Sequence, residues 1–259
     1  MKICRFSGRE SFEPRYGIIE DDVVRPLPES ELYSDHPRVT TDKIPLADVR
    51  LLAPVTPSKI VCVGRNYREH AAELGNPMPA QPLLFLKAPS AIIGPGEAIE
   101  LPPASTQVEH EGELAVVIGR RARRLPDADD PLSFVLGYTC LNDVTARDLQ
   151  RQDVQFTRAK SFDTFCPVGP LISTDLNPED LLVTTRLNGT IKQRARTSAM
   201  AFPVPFLIRY ISHAMTLEPG DLIATGTPAG VSRMNAGDVV EVEVEGVGVL
   251  RNEVRGCSL

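Results

Sequence analysis

The stretch Val108-Glu109-His110-Glu111-Gly112-Glu113, followed by the unbroken apolar run Leu114-Ala115-Val116-Val117-Ile118, constrains this chain more than any other. A strand alternates its side chains between two faces, which predicts Glu109, Glu111 and Glu113 on one face and His110, Gly112 and Leu114 on the other. The apolar run carries the strand into a core, where unpaired carboxylates are costly to charge. Such a cluster calls for positive charge. A hard divalent cation such as Mg²⁺, Mn²⁺ or Ca²⁺ can supply it with few protein oxygens, water and substrate completing the shell. The competing reading is a solvent-facing edge strand whose acids discourage aggregation, and the E-x-E-x-E spacing alone does not decide between the two.

Composition narrows the partners. The 259 residues carry 28 basic and 34 acidic side chains, a formal net charge of −6, which argues against the electrostatic footprint of a nucleic-acid binder and for a small-molecule partner. With 42% hydrophobic residues the chain reads as an ordinary globular protein of one large domain, or one domain plus a small appendage. No basic, apolar and cleavage-site sequence stands at the N-terminus and no apolar stretch spans a bilayer, so the expectation is a cytoplasmic protein with no membrane partner. Cys4, Cys62, Cys140, Cys166 and Cys257 form no C-x-x-C pair and are read as reduced, mostly buried thiols.

The first segment, with strand-like pieces at Lys2 to Phe6, Tyr16 to Ile19 and Val23-Val24, is interrupted by Pro26, Pro28, Pro37 and Pro45. It reads as a small β-rich unit ending near the stiff Ala53-Pro54-Val55-Thr56-Pro57 stretch. Further strands are expected at Lys59 to Val63, Leu83 to Lys87, Phe134 to Val144 and Leu222 to Ala224. Asn188-Gly189 marks a hairpin, and a second closes around Gly246. An apolar helix is expected over Pro205 to Met215.

Several segments deliver reactive groups. Asn66 is read as the N-cap of a short helix ending at Gly75, on which His70 and Glu73 share a face. A carboxylate-held histidine can act as a general base, although the pair is also what an ordinary surface helix shows. The irregular Asn76 to Pro82 segment beside it suits a lid. Asp143, where a strand meets a helix capped by Thr145 and running from Ala146 to about Phe156, can join a carboxylate set or cap the helix itself. Arg147 and Gln150 share a face of that helix. Lys160 can neutralise an oxyanion or stand at the surface, and Lys87 reads as a snorkelling surface lysine. The loop Thr225-Gly226-Thr227-Pro228-Ala229-Gly230 presents N–H groups and hydroxyls suited to an anion.

Taken in order, Gly64-Arg65-Asn66-Tyr67 with His70 and Glu73, Glu111-x-Glu113, Asp143 to Asp148 with Gln150, Lys160 to Asp163, and Thr225 to Pro228 resemble the fumarylacetoacetate hydrolase family. The resemblance is to its smaller members, which include acylpyruvate hydrolases and oxaloacetate decarboxylases, and it runs from about Ser58 to the C-terminus. It implies an α+β, mainly β fold: a mixed β-sandwich roll with a few helices over residues 58–259, preceded by a small β-rich N-terminal domain over 1–57. It implies Glu111, Glu113 and Asp143, but not Glu109, as metal ligands, with Mg²⁺ the usual ion and Mn²⁺ an alternative. His70 and Glu73 match a water-activating pair, Lys160 an oxyanion-stabilising group, and Arg65, Arg147, Gln150 and Thr227 substrate-holding positions. The larger members' fourth acidic ligand has no counterpart that can be placed here, and the smaller relatives are homodimers.

The expected activity is hydrolysis of a C–C bond in a 2,4-dioxo acid of acylpyruvate or fumarylpyruvate type. His70 with Glu73 would activate water, and the metal would stabilise the departing enolate. The alternative is decarboxylation or isomerisation of a 2-oxo dioic acid, such as oxaloacetate or a hydroxymuconate-type ring-cleavage product. A catalytically idle metal-binding protein is the third reading.

Overall fold

The computed structural model describes residues 1–8, 13–34 and 36–256, and Cys257 therefore lies outside the described residues. The strand Gly112–Ile118 runs through the middle of the largest sheet, flanked antiparallel by Val135–Asn142 and by Leu222–Ala224. Its apolar run is explained by burial on both faces. Leu114, Val116 and Ile118 enter one core cluster and Ala115 and Val117 the other. A strand covered on both sides loses the polar alternation of a half-exposed one. Each large side chain so buried contributes roughly 1.5–3 kcal/mol relative to exposure.

The sheet continues outward from Leu222–Ala224 through Ile60–Gly64, which pairs parallel with it, to Leu83–Lys87. On the other side it passes through Cys166–Ser173 to the N-terminal strands Lys2–Gly8, Arg15–Glu20 and Val23–Leu27. The N-terminal segment thus extends the large sheet by antiparallel pairing of Lys2 with Ser173 and Ile3 with Ile172. A second sheet of five strands is built from Ile99–Leu101, Leu182–Leu187, Thr190–Arg196, Val239–Val244 and Gly248–Gly256. Asn188 and Gly189 both take positive φ, the conformation a two-residue hairpin turn requires. The chain is α+β and mainly β.

Four α-helices are present among the described residues: α1 (Arg68–Glu73), α2 (Arg147–Gln152), α3 (Thr157–Lys160) and α4 (Val204–Ala214). In α4, Val204, Leu207, Ile208 and Ile211 are buried and join the cluster that contains Leu114 and Val116. Among the described residues, no helix is long and apolar enough to cross a membrane.

Two expected caps are replaced by tertiary contacts. Asn66 does not cap α1, whose N-cap is Tyr67 with no side-chain bond. The Asn66 amide is instead buried, donating to Phe202 O and Thr225 O and accepting from Phe202 N, so it ties three segments together. Thr145 sits in a two-residue strand with Ala146, paired to Val108–Glu109, and its hydroxyl donates to Asp143 O. The helix expected from Ala146 to about Phe156 is shorter, spanning Arg147–Gln152 as α2, and α3 begins only at Thr157, beyond the expected end. Lys160 ends α3 and is buried.

Candidate metal centre and active site

The acidic strand is broken where the chemistry lies. Val108–Glu109 and Gly112–Ile118 are separate strands, and His110 and Glu111 fall between them. Simple alternation across all three glutamates therefore fails at this kink. Glu109 is drawn aside and accepts from Arg147 Nε at 2.8 Å and Gln107 Nε2 at 2.6 Å. Glu111 is clamped by its backbone: its N–H donates to Asn142 Oδ1 at 2.9 Å, and its carbonyl accepts from Asp143 N at 2.8 Å. These bonds, with the Gly112–Asn142 register, carry Asp143 to the side of Glu111. One carboxylate oxygen from each of Glu111, Glu113 and Asp143 lies within 4.8 Å of the others, and all three residues are buried.

Cations surround this triad unevenly. Lys160 Nζ donates to Glu111 Oε2 at 2.8 Å and Asp143 Oδ2 at 2.7 Å. Lys87 Nζ donates to the other oxygen of Asp143 at 2.7 Å and to Val144 O at 3.2 Å. Arg147 binds Glu111 through Nη2 and Gln150 Oε1 through Nη1. Glu113, by contrast, receives one N–H, from Gly226 at 2.7 Å, and makes no ion pair among the described residues. Gly226 has φ +100°, and a Cβ there would approach Asn66 Cβ to 2.7 Å, so this close approach to Glu113 needs glycine.

The charges respond accordingly. Burial alone would raise the Glu111 carboxyl, but the adjacent Lys160 and Arg147 outweigh it and hold it well below the usual range. Burial and then the neighbouring Asp143 and Glu111 carboxylates push Glu113 well above its usual range. Burial opposes the charge on Lys160, but Asp143 and Glu111 prevail and raise it. Glu113 is thus the acid whose charge the protein leaves uncompensated. An all-oxygen, buried carboxylate set with one uncompensated member fits a hard divalent cation.

One cavity of about 210 Å³ holds the candidate residues together: Arg65, His70, Glu111, Glu113, Asp143, Arg147, Gln150, Lys160 and Thr227 all line it. Glu73 joins through His70, whose Nδ1 is 3.3 Å from Glu73 Oε2. Glu73 is in turn fixed by Gly230 N, at 3.0 and 3.2 Å from its two oxygens. His70 is buried, and its Nε2 has no hydrogen-bond partner among the described residues. Phe85, Phe156, Leu74 and Leu83 supply apolar wall. Cys166, under the site, is no nucleophile, because burial pushes its thiol up to about 12.

The fumarylacetoacetate (FAA) hydrolase C-terminal model matches residues 59–255. The chain belongs to the fumarylacetoacetate hydrolase family. Its N-terminal residues 1–54 match the Rv2993c-like N-terminal model. An uncharacterized protein of Archaeoglobus fulgidus is 52% identical over 210 residues, covering 81% of this chain and 84% of that protein. The oxaloacetate tautomerase YisK of Bacillus subtilis is 42% identical over 224 residues, covering 81% and 74%. The crystal structure of 5-carboxymethyl-2-hydroxymuconate delta-isomerase from Mycobacterium smegmatis superposes with a TM-score of 0.91 at 45% identity, covering 99% of this chain and all of that one.

Lys87 is the site residue that sequence reasoning misplaced. It ends the strand Leu83–Lys87, whose preceding residues are half-buried or exposed, and pattern alone gave it a surface position. His110 and Gln193, both buried beside the glutamates, were not singled out either. A histidine within the acidic run was a signal for the first, whereas Gln193 had none, because its partners lie more than 30 residues away.

Proposed function

We propose that this protein is a divalent-metal-dependent enzyme that enolises a small 2-oxo dioic acid, acting as a keto–enol tautomerase or isomerase of the oxaloacetate or hydroxymuconate type. The observation that carries it is a carboxylate-held imidazole, its Nε2 without a hydrogen-bond partner among the described residues, lining the same small cavity as a buried acid triad. Mg²⁺ or Mn²⁺ held by Glu111, Glu113 and Asp143 would supply Lewis acidity, drawing electron density from the 2-oxo group and so acidifying the adjacent carbon. His70 Nε2 takes or returns the proton at that carbon. Glu73 holds the ring in place through Nδ1. Lys160 keeps Glu111 and Asp143 oriented and adds positive charge to the wall where the enolate oxygen develops. Phe85 and Phe156 keep water from that wall.

Names of relatives point the same way, since they include a tautomerase and an isomerase. Arg147 is held by Glu109, Glu111 and Gln150 through its three nitrogens and keeps one further N–H on each Nη for a ligand. Hydrolysis of a 2,4-dioxo acid is the second reading, favoured by the same His70–Glu73 pair acting on water. The division into residues 1–57 and 58–259, a homodimeric assembly and a cytoplasmic location belong to this proposal as well.

The test is loss of enol absorbance from freshly dissolved oxaloacetate, with pyruvate release and acetylpyruvate cleavage followed in parallel, before and after chelation. Metal-dependent acceleration of ketonisation is expected, falling about 10²–10⁴-fold in His70→Asn. Acetylpyruvate cleavage without any effect on oxaloacetate would transfer the assignment to the hydrolase.

A further inference from the structure

We propose that the outer face of the five-stranded sheet carries a second ligand site, one that takes the phosphate group of a small phosphomonoester. A cavity of about 540 Å³ opens there between the sheet, the turn at Gly246 and Lys2 of the N-terminal strand. It shares no lining residue with the acid-triad cavity. In the strand Leu182–Leu187, Val183 joins the core and Thr185 packs against Gly112. Alternation therefore turns Leu182, Thr184 and Arg186 outward, and all three line the cavity. Thr184 is only 4% exposed, yet its hydroxyl has no hydrogen-bond partner among the described residues. Its oxygen is not sealed off like that of Thr185, so what opening it keeps is onto this cavity.

The charges around that hydroxyl do not cancel. Strand register places Arg194 on one side of Thr184 and Glu243 on the other, and paired side chains share a face. Both acids of the cavity are already engaged. Glu243 Oε2 accepts from Arg186 Nη1 at 2.6 Å, while Glu245 Oε2 accepts from Leu182 N at 3.1 Å and lies 3.4 Å from Arg196 Nη1. Arg194 and Lys2, by contrast, make no ion pair and no side-chain hydrogen bond among the described residues. Two unpaired cations on one concave wall, in a chain of net charge −6, favour an anion. A guanidinium, an ammonium and a hydroxyl can meet three oxygens of a tetrahedral phosphate, whereas a carboxylate offers two. Leu182, Val247 and the exposed Ile191 complete the lining and suit an apolar ester group.

Calorimetric titration of the full chain in Mg²⁺, with phenyl phosphate, inorganic phosphate and benzoate as probes, tests the assignment. Phenyl phosphate is expected to bind more tightly than either of the others. Arg194→Met and Lys2→Met should each weaken it about tenfold, and Thr184→Val about threefold. Both cations are exposed, so these two variants should keep the wild-type Tm. Glu111→Gln, at the acid triad, should leave phenyl phosphate affinity unchanged. Wild-type protein that binds no phenyl phosphate at millimolar concentration, affinity indifferent to both Arg194→Met and Lys2→Met, or binding that Glu111→Gln abolishes would overturn the inference. So would benzoate bound as tightly as phenyl phosphate, which would replace the phosphate by a carboxylate. Turnover of oxaloacetate enters none of these readings, so the site and the proposed activity stand or fall separately.

Discussion

Replacing Lys87 by Met tests whether its ammonium belongs to the site or to the surface. The side chain is fully buried, with Nζ 2.7 Å from Asp143 Oδ1 and 3.2 Å from Val144 O. Met keeps most of the volume and removes the charge, so packing is nearly conserved. Asp143 would retain only Lys160, and four buried carboxylates, Glu109, Glu111, Glu113 and Asp143, would face Arg147 and Lys160 alone. Breaking a buried pair by deleting one partner costs about 3–5 kcal/mol, because the remaining charge stays out of water. At about 2–4 °C per kcal/mol for a chain of this size, that is a fall in Tm of roughly 6–20 °C. A snorkelling lysine would give a change within about 0.5 kcal/mol. Thermal and urea unfolding of chelator-treated protein measure the difference, with Lys87→Arg as the charge-conserving control. A Lys87→Met protein that unfolds within about 1 kcal/mol of wild type would refute the claim that this ammonium supports Asp143.

Glu113→Gln should act in opposite directions with and without metal. The raised Glu113 value means that the folded protein holds a proton which the unfolded chain releases above about 4.5, so this group's contribution to stability falls as pH rises through that range. In chelator-treated protein the variant should therefore match wild type at acid pH and exceed its Tm at neutral and alkaline pH, while added Mg²⁺ should raise the Tm of wild type alone. Gly112→Ala should destabilise by about 2–4 kcal/mol in urea unfolding, because its Cβ would collide with Thr185 Oγ1 and Cβ across the two sheets. Asn66→Ala should cost about 2–4 kcal/mol by the same measurement, since it strips Phe202 N, Phe202 O and Thr225 O of their partner; a loss of only a few tenths would restore the simple cap.

What was legible in the sequence was what local rules govern. The unbroken Leu114 to Ile118 run announced a strand entering the core, which the structure buries on both faces, and Asn188-Gly189 announced a turn, because burial and positive φ select residue types directly. The strand-end position of Asp143 could be read from the pattern, but its contact with Glu111 could not, since the backbone bonds that bring them together span 31 and 32 residues. Asn66 and Thr145 mislead in different ways. A short polar side chain that can cap a helix can equally bond other backbone groups: Asn66 takes distant partners at Phe202 and Thr225, whereas Thr145 bonds the nearby Asp143 O while its backbone pairs with Val108–Glu109.

The kink at His110 and Glu111 is likewise illegible in the sequence. A strand continued through these positions would point Glu109, Glu111 and Glu113 at one another, with only alternation to place them. Breaking it lets Glu109 leave for Arg147, lets His110 turn to Gln193, and leaves Glu111 and Glu113 to face Asp143. Nothing in the propensities of Val-Glu-His-Glu-Gly-Glu demands that break. It is imposed from outside, by Arg147 on α2, by Gln193 on the second sheet and by Asn142 at the end of the neighbouring strand. The acid triad is therefore a product of three elements converging on one interruption, and a variant that removes one of those outer partners should disturb the carboxylate geometry before it disturbs the strand.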